Sequence, residues 1–587
     1  MVNKMGNTKN TKKDVRMVTV TIDGQQVVVP EGTTILEAAR QAGIFIPTLC
    51  HHPDLKPRAT CRVCIVEVKG QRRFQTACNT PVADGNEIWT NNQAVREARK
   101  TILELILADH PQDCLKCVRN QNCELQKMAS DYQIREVSFA RTAKELPVES
   151  TNPSIVRDMS KCIKCGRCVE VCQEVQQVAA INTANRSTEY TMSTAFGEAL
   201  ADSPCVYCGQ CIAVCPVGAL TEKDDTARVW AALDNPDLHV VVQTAPAVRV
   251  ALGEEFGWQP GTITTGKMVA ALKRLGFNKV FDTNFTADLT IIEEGNELLQ
   301  RIKEGGTLPM ITSCSPGWIN FIEKSYPELL PHVSTCKSPQ QMFGALAKTY
   351  YAQKAGIPAE KIFVVSIMPC TAKKYECTRP EMQSSGFQDV DVVLTTRELA
   401  RMIKQASLDM EAIQEAEYDA PLGISTGAAV IFGASGGVME AALRTVYEVV
   451  TGQELKDLDF KDVRGLTGIK EATVDLAGTK VKIAVANGLA NAKALLEKIK
   501  AGKCDYHFIE IMCCPGGCIG GGGQPFGTTM AIKERRMAAT YEIDRGLQLR
   551  KSHENPAVKT LYKEFLKKPL GHKSHELLHT DYKNRKY

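Results

Sequence analysis

A chain of 587 residues, 44% hydrophobic and 24% charged, carries ample apolar material for a core and the length of roughly four domains of about 150 residues. A formal net charge of +4 over that length offers no concentrated basic patch, which argues against nucleic acid as a partner. No apolar run reaches the ~18 residues that would suggest a membrane span.

The start, MVNKMGNTKNTKKDVRM, is polar and basic and lacks the apolar stretch of a secretory signal. It reads as a disordered leader before a first strand near Val18, and the protein is expected in the cytoplasm. The informative number is 23 cysteines. In a large chain without a secretory signal they point to metal sites rather than disulfides. Fifteen fall between Cys50 and Cys215, none between 216 and 313, and eight in groups around 314–377 and 504–518.

Residues 18–29, VTVTIDGQQVVV, place Asp23-Gly24 between two β-rich runs, a hairpin signal, and a helical stretch TTILEAARQAG follows. Next comes Cys50-x10-Cys61-x2-Cys64-x13-Cys78, with Cys61 and Cys64 on a loop before the strand-like IVEV. Four thiolates on the loops of a small β-grasp-like domain suit a [2Fe–2S] cluster, with a longer first gap than plant-type ferredoxins use. Zinc held by four cysteines is the competing reading. A helix QAVREARKTILELILA over 93–108 leads into His110-x3-Cys114-x2-Cys117-x5-Cys123, a set for zinc or a [4Fe–4S] cluster.

Two copies of one motif follow: Cys162-x2-Cys165-x2-Cys168-x3-Cys172 and Cys205-x2-Cys208-x2-Cys211-x3-Cys215-Pro216. This is the bacterial two-cluster ferredoxin run, in which the fourth cysteine of each run ligates the other cluster. Cys162, Cys165, Cys168 and Cys215 then hold one [4Fe–4S] cluster; Cys205, Cys208, Cys211 and Cys172 hold the second. Gln173 stands where the first run would carry proline. Fifteen cysteines and one histidine are enough for four clusters, one [2Fe–2S] and three [4Fe–4S].

From about 237 the pattern becomes α/β: strand-like HVVVQTA, KIFVVSIM and YHFIEIM alternate with helical GKMVAALKRLGF and ARMIKQASL. Site cysteines follow the strand-like runs, where open α/β sheets place ligands. Three motifs stand out. They are Thr312-Ser313-Cys314-Ser315-Pro316-Gly317-Trp318, Met368-Pro369-Cys370-Thr371-Ala372-Lys373-Lys374-x-Glu376 and Glu510-x-Met512-x-Cys514-x2-Gly517-Cys518-x2-Gly521-Gly522.

These resemble the three signatures of iron-only ([FeFe]) hydrogenases, and the resemblance runs from residue 18 to the end. It implies an enzyme that interconverts H2 with protons and electrons. Its H-cluster is a [4Fe–4S] cubane joined to a diiron site with CO, cyanide and azadithiolate. By that resemblance Cys370, Cys514 and Cys518 bind the cubane, Cys518 bridging to the diiron unit. Lys373 donates to a cyanide, and Met368 and Met512 pack against the diiron site. The histidine–cysteine module resembles one that these hydrogenases share with the large electron-input subunit of respiratory complex I. The implied proton route runs from Cys314 through Glu294, Ser334 and Glu297, the two glutamates being i, i+3 on one helix face. On its own that pair would read as a solvated face.

Two positions depart from the pattern. The first signature usually reads TSCCP, its second cysteine binding the cubane; here that position is Ser315. Cys336, in Ser334-Thr335-Cys336-Lys337-Ser338-Pro339, is the expected replacement, with Ser315 oxygen or Cys314 the alternatives. Ala247 in TAPAVR stands where a serine is usual near a cyanide, leaving that bond to backbone. The glycines at 520–523 are expected to let backbone approach a cluster. Cys377, Cys504 and Cys513 read as structural, and the histidines of the tail as capping or surface groups.

Gly261-x4-Gly266-Lys267 imitates a phosphate loop but continues with Met268, and no G-x-G-x-x-G occurs. A nucleotide site is therefore expected on another subunit. The TSCSP and STCKSP variants resemble the multimeric, electron-bifurcating type. That type implies flavin/NAD(P)-binding and [2Fe–2S] partner subunits and ferredoxin. The expected layout is multidomain α+β and α/β: a β-grasp domain over 17–95, the histidine–cysteine module over 96–136 and a ferredoxin domain over 152–224. An α/β H-cluster domain over 237–527 and a fused small-subunit-like tail over 528–587 complete it. A hydrogenase-like electron-transfer, sensor or assembly protein without H2 turnover is the alternative.

Overall fold

The computed structural model describes residues 16–466, 468–476 and 478–585. The basic leader read at the start of the sequence lies outside the described residues up to residue 15.

Strands β1 (Met17–Ile22) and β2 (Gln25–Pro30) form the expected hairpin. Asp23 and Gly24 at its turn both have positive φ, 47° and 82°. A two-residue turn of this hand needs that, and Asp-Gly supplies it at low cost. Helix α1 (Ile35–Gln41) starts with a capping box between Thr34 and Glu37. Its apolar face, Ile35, Leu36 and Ala39, packs into one core with Val18, Val20 and Ile22 of β1. Strands β3 (Ile65–Val68), β4 (Gln75–Thr76) and β5 (Glu87–Trp89) complete a sheet of order β2-β1-β5-β3-β4. The β1–β5 pairing is parallel.

Helix α2 (Gln93–Ala108), capped by Asn92, carries the chain to the histidine–cysteine module, which ends in α3 (Glu124–Asp131). The ferredoxin region holds two antiparallel pairs, β6 (Ile155–Arg157) with β9 (Leu220–Glu222) and β7 (Asn182–Ala184) with β8 (Thr191–Ser193). Its two cysteine runs repeat in backbone as well as spelling. Each short helix, α4 (Arg167–Glu170) and α5 (Gln210–Ala213), follows a left-handed glycine, Gly166 or Gly209. Lys164 and Tyr207, each just before the second cysteine of its run, also share positive φ. The runs part where Pro216 stands in one and Gln173 in the other: without proline, the first continues as a π-helical turn over Val171–Val175.

The C-terminal half contains two four-stranded sheets. One has the order β11-β10-β13-β14, from β10 (His239–Thr244), β11 (Lys279–Asp282), β13 (Ile362–Met368) and β14 (Val392–Thr395), all parallel. The other has the order β12-β17-β16-β15, from β12 (Met310–Ile311), β15 (Ile469–Leu476), β16 (Thr479–Asn487) and β17 (Phe508–Met512). Within it β12, β17 and β16 are parallel and β15 is antiparallel. Buried runs such as Val240–Val242 and Ile509–Ile511 explain why these strands read as continuous apolar stretches. The helices Thr265–Arg274 and Thr396–Gln405 match the helical stretches of the sequence. Lys267 bonds the carbonyls of Met410 and Glu411, so the phosphate-loop look-alike is a structural anchor. The tail adds a helix over Met530–Gly546 and a last one over His572–Leu578, then bridges back to Cys336 through His579.

Candidate functional site

Four strands from the two sheets end at one chamber. The residues just past β10, β12, β13 and β17 line it: Ala245 and Pro246, Cys314 and Ser315, Pro369 and Cys370, Cys513 and Cys514. Parallel strands put their carboxyl ends on one side, so residues 200 positions apart in sequence meet there. Cys518, Lys373, Met368 and Met512 line it as well. Both methionines are buried, at 2% and 4% exposure, and their soft, unbranched chains give an adaptable apolar wall.

The three thiols of Cys370, Cys514 and Cys518 face one space. Burial first, and the neighbouring Cys514 second, push the Cys518 thiol up to about 12 and raise Cys370 further. Crowded thiols facing one space, with Lys373 as the cation beside them, are the donor set that an iron–sulfur cubane fits. Lys373 Nζ sits at the rim, donating to the Cys314 carbonyl at 3.3 Å and to Glu376 Oε2 at 2.8 Å. It is a fixed cation beside the position where an anionic diatomic ligand would lie. Ala247 is fully buried and does not line the chamber; its carbonyl accepts from Gln524 Nε2 at 3.0 Å.

Gly521 of the glycine run lines the chamber, and the run also packs closely on protein. A side chain on Gly521 would lie 2.0 Å from the Pro369 carbonyl oxygen, and one on Gly522 2.4 Å from that of Cys208. Glycine is required there because the second ferredoxin run docks on the signatures. Gln210 Nε2 donates to the Gly520 carbonyl at 2.9 Å, and Thr371 Oγ1 to that of Tyr207 at 2.7 Å.

Beside the chamber runs a line of protonatable groups. Glu294 and Glu297 project from the helix Thr283–Glu304 and are buried, so the solvated-face reading fails. Neither Glu294 carboxylate oxygen has a partner within strict hydrogen-bonding geometry among the described residues, and the Ser334 hydroxyl and the Ser313 N–H are its polar neighbours. Burial, and next the Glu297 carboxylate, raise Glu294 to about 8. It therefore holds its proton at neutral pH. Ser334 Oγ donates to Glu297 Oε2 at 2.7 Å, and Arg301 Nη2 to Glu297 Oε1 at 2.6 Å. The Cys314 thiol is raised by burial and then by the Glu294 charge, which places the two groups within each other's field.

Cys336 is not brought to the chamber. Its thiol lies 3.9 Å from Glu297 Oε2 and 4.0 Å from His579 Nδ1, and only its carbonyl turns to the first signature, accepting from Ser313 Oγ at 2.6 Å. The expected replacement of Ser315 by Cys336 is thus corrected by the direction of the side chain. His579 corrects a second expectation. It is buried, 7% exposed, bonded to Thr335 Oγ1 at 2.8 Å and to Glu293 at 3.3 Å. Nothing in the local sequence marks it, because its partners lie more than 240 residues away. Cys377 is a buried structural thiol donating to the Lys374 carbonyl, whereas Cys513, read as structural, lines the chamber.

The relay ligands fall into four groups. Cys162, Cys165, Cys168 and Cys215 line one small cavity, and Cys172, Cys205, Cys208 and Cys211 another. In the β-grasp domain Cys50 contacts Cys61 and Cys78, and Cys78 contacts Cys64. His110 is buried with Nδ1 unpartnered among the described residues, and Cys114, Cys117 and Cys123 of the same segment are half-buried. An orphaned buried imidazole nitrogen fits a metal ligand. Both outer groups reach the first cavity. Thr60 Oγ1 donates to the Cys165 carbonyl at 3.2 Å, and Arg119 Nη1 to that of Cys215 at 2.9 Å.

Family models match in the same order along the chain. A 2Fe-2S iron-sulfur cluster binding domain spans 15–93, and the NADH-ubiquinone oxidoreductase-G iron-sulfur binding region spans 99–138. The ferredoxin-like domain of NADH-quinone oxidoreductase subunit 3 covers 152–221. The iron only hydrogenase large subunit, C-terminal domain, covers 238–522, and the iron hydrogenase small subunit 530–585. The NADP-reducing hydrogenase subunit HndD of Solidesulfovibrio fructosivorans is 52% identical over 97% of this chain and 99% of its own length. Iron hydrogenase 1 of Clostridium pasteurianum is 43% identical over 97% and 100%. An apo [FeFe]-hydrogenase from Chlamydomonas reinhardtii, as a single-residue variant, superposes with a TM-score of 0.56 at 46% identity, over 62% of this chain and all of that one. Near-full-length identity at this level, on a chamber built from all three signatures, makes the chain a member of the iron-only ([FeFe]) hydrogenase family.

Proposed function

We propose that the protein interconverts H2 with protons and electrons at an H-cluster held in the strand-end chamber. The observation that carries this reading is the pairing of the three-thiol chamber with a proton line beside it. Cys370, Cys514 and Cys518 would hold the cubane, with Lys373, Met368 and Met512 around the diiron site. The bound group supplies the metal and the basic amine at which H2 is split. The chain supplies the rest. Cys314 takes up or delivers the proton, and Glu294, protonated at neutral pH, exchanges it with Ser334 and Glu297, from which Arg301 leads outward.

Electrons would travel through one [2Fe–2S] and three [4Fe–4S] clusters within domains 17–95, 96–136 and 152–224. The two outer groups, at Cys50–Cys78 and at His110–Cys123, both feed the first ferredoxin cavity. The second cavity then delivers to the chamber, whose wall includes its ligand Cys208. Flavin/NAD(P)-binding and [2Fe–2S] subunits, or ferredoxin, would exchange electrons with the outer clusters. No described helix is long and apolar enough to cross a membrane.

The test is anaerobic maturation with the diiron cofactor, followed by infrared spectroscopy in the CO and cyanide stretching region with and without H2. Sharp bands that shift under H2 are expected. A sample whose iron accounts for the relay and the cubane yet shows no bands would overturn the reading.

A further inference from the structure

The family's cubane needs four thiolates, and this chain offers three at the usual places, with Ser315 in the fourth. We propose that Cys513 is the fourth cubane ligand. The inference rests on the hydrogenase reading for the cubane itself but not for H2 turnover.

The position of the side chain carries it. Cys513 lines the chamber with Cys370, Cys514, Cys518 and Ser315. Its thiol contacts the thiol of Cys514, one of the three other ligands, and that of Cys208 on the far side. Its backbone N–H donates to Ser315 Oγ at 3.3 Å, so the new thiol and the lost one occupy adjoining positions. The side chain passes against Gly317, where any Cβ would stand 2.7 Å from Cys513 Sγ.

Of the competitors, Ser315 and Cys314 line the chamber as well, and Cys336 does not. Ser315 Oγ already accepts that N–H, and a serine oxygen is a hard, weakly acidic donor for iron that thiolate outcompetes. Cys314 heads the proton line proposed above, whose function needs a thiol free to exchange its proton. Cys336 lies among Glu297, His579 and Tyr582, outside the chamber wall. On cluster loading the Cys513 thiol loses its proton to solvent and its sulfur bonds the fourth iron; no electron changes hands. A cubane ligand in contact with Cys208 also brings the last relay cluster and the cubane together through adjoining thiolates.

The deciding measurement is the structure of the full-length chain loaded anaerobically with iron–sulfur clusters and without the diiron unit. Continuous density from Cys513 Sγ to a cubane iron is expected. Density from Ser315, Cys314, Cys336 or solvent to that iron overturns the proposal, and this readout needs no variant. Cluster counting by anaerobic native mass spectrometry extends it. Cys513→Ala is expected to lose one cluster, about four irons per chain. Ser315→Cys added to Cys513→Ala is expected to restore it, while Ser315→Ala and Cys336→Ala keep it. A Cys513→Ala chain that retains every cluster with an unchanged reduced electron-paramagnetic spectrum refutes the assignment. The hydrogenase reading fails separately, through absent CO and cyanide bands in a chain whose cubane is seated on Cys513.

Discussion

The relay half and the chamber half place their cysteines by opposite means. In the relay each cluster draws its ligands from one or two short runs, and the repeat of Gly166 and Gly209 at left-handed φ shows one local design used twice. In the chamber the ligands follow two strands, β13 and β17, in two different sheets, a third motif follows β12, and no two of the three motifs are neighbours in sequence. A lost ligand in the relay would leave a gap in its own run. A lost ligand in the chamber can be replaced from another strand end, because several converge on the same few ångströms.

The sharpest way to separate the halves is to stop one and leave the other running. Cys314→Ala removes the thiol nearest the chamber from the proton line and touches no relay ligand. H2 evolution is expected to fall by about 10²–10⁴-fold, the range for a positioned proton carrier. The electron-paramagnetic signals of the reduced relay clusters should be unchanged. Loss of those signals would mean that Cys314 is structural.

The seam between the halves is the next place to break. Arg397 is fully buried and bonds Glu222 of β9 at 2.6 Å on one side and the Gly522 carbonyl at 2.9 Å on the other. Its guanidinium also lies 4.3 Å from the Phe526 ring, on which Arg119 of the histidine–cysteine module stacks at 3.7 Å. Arg397→Ala leaves Glu222 to Arg401 alone, takes the donor from the Gly522 carbonyl, and should cost roughly 1.5–3 kcal/mol. Denaturant unfolding checks this, and the two halves are expected to melt apart rather than together. A single unchanged transition would show that the seam is held elsewhere.

An effect with a characteristic pH dependence comes from Glu294. Its carboxyl titrates near 8 in the folded protein and near 4.3 in an unfolded chain. Between those values the native state holds a proton that the unfolded state has released, so this group lowers stability as pH rises. Glu294→Gln stays neutral throughout. The variant should gain on the wild type steadily from about pH 4 to pH 8, reaching on the order of 5 kcal/mol. Its turnover should drop about 10²-fold. Paired melts at pH 5 and pH 8 measure the gain; an equal difference at both would remove the raised carboxyl from the argument.

These contrasts also mark what the sequence could convey. The hairpin at Asp23-Gly24, the helix over 93–108 and both cysteine runs were legible because their causes lie within a few residues. The crossed cysteine sets were legible from spacing alone. Met368, Lys373 and Glu294 were legible only through the signatures, since a buried methionine or a helical glutamate has no distinctive neighbours. Cys513 left one signal that went unread: a cysteine added inside the third motif in a chain missing one from the first. Weighing that pair required knowing that β12 and β17 are adjacent and parallel, a pairing made across almost 200 residues. Cys336 offered the same kind of signal and pointed the wrong way.

Cys336 provides the smallest test of the comparison. It is fully buried, and its thiol makes only long contacts, 3.9 Å to Glu297 and 4.0 Å to His579. Its backbone carries the bonds that matter, from Ser313 Oγ and Tyr582 to the carbonyl and to Ser334 Oγ from the N–H. Alanine keeps all three. Cys336→Ala should therefore cost about 1 kcal/mol, the loss of one small buried group, with H2 turnover within a few-fold of the wild type. Differential scanning calorimetry and an activity assay suffice. A collapse of turnover with the clusters still in place would make the thiol a working member of the line through Glu297 and His579. The chamber's proton path would then extend into the C-terminal tail, and the two halves of the molecule would differ less than their ligand placement suggests.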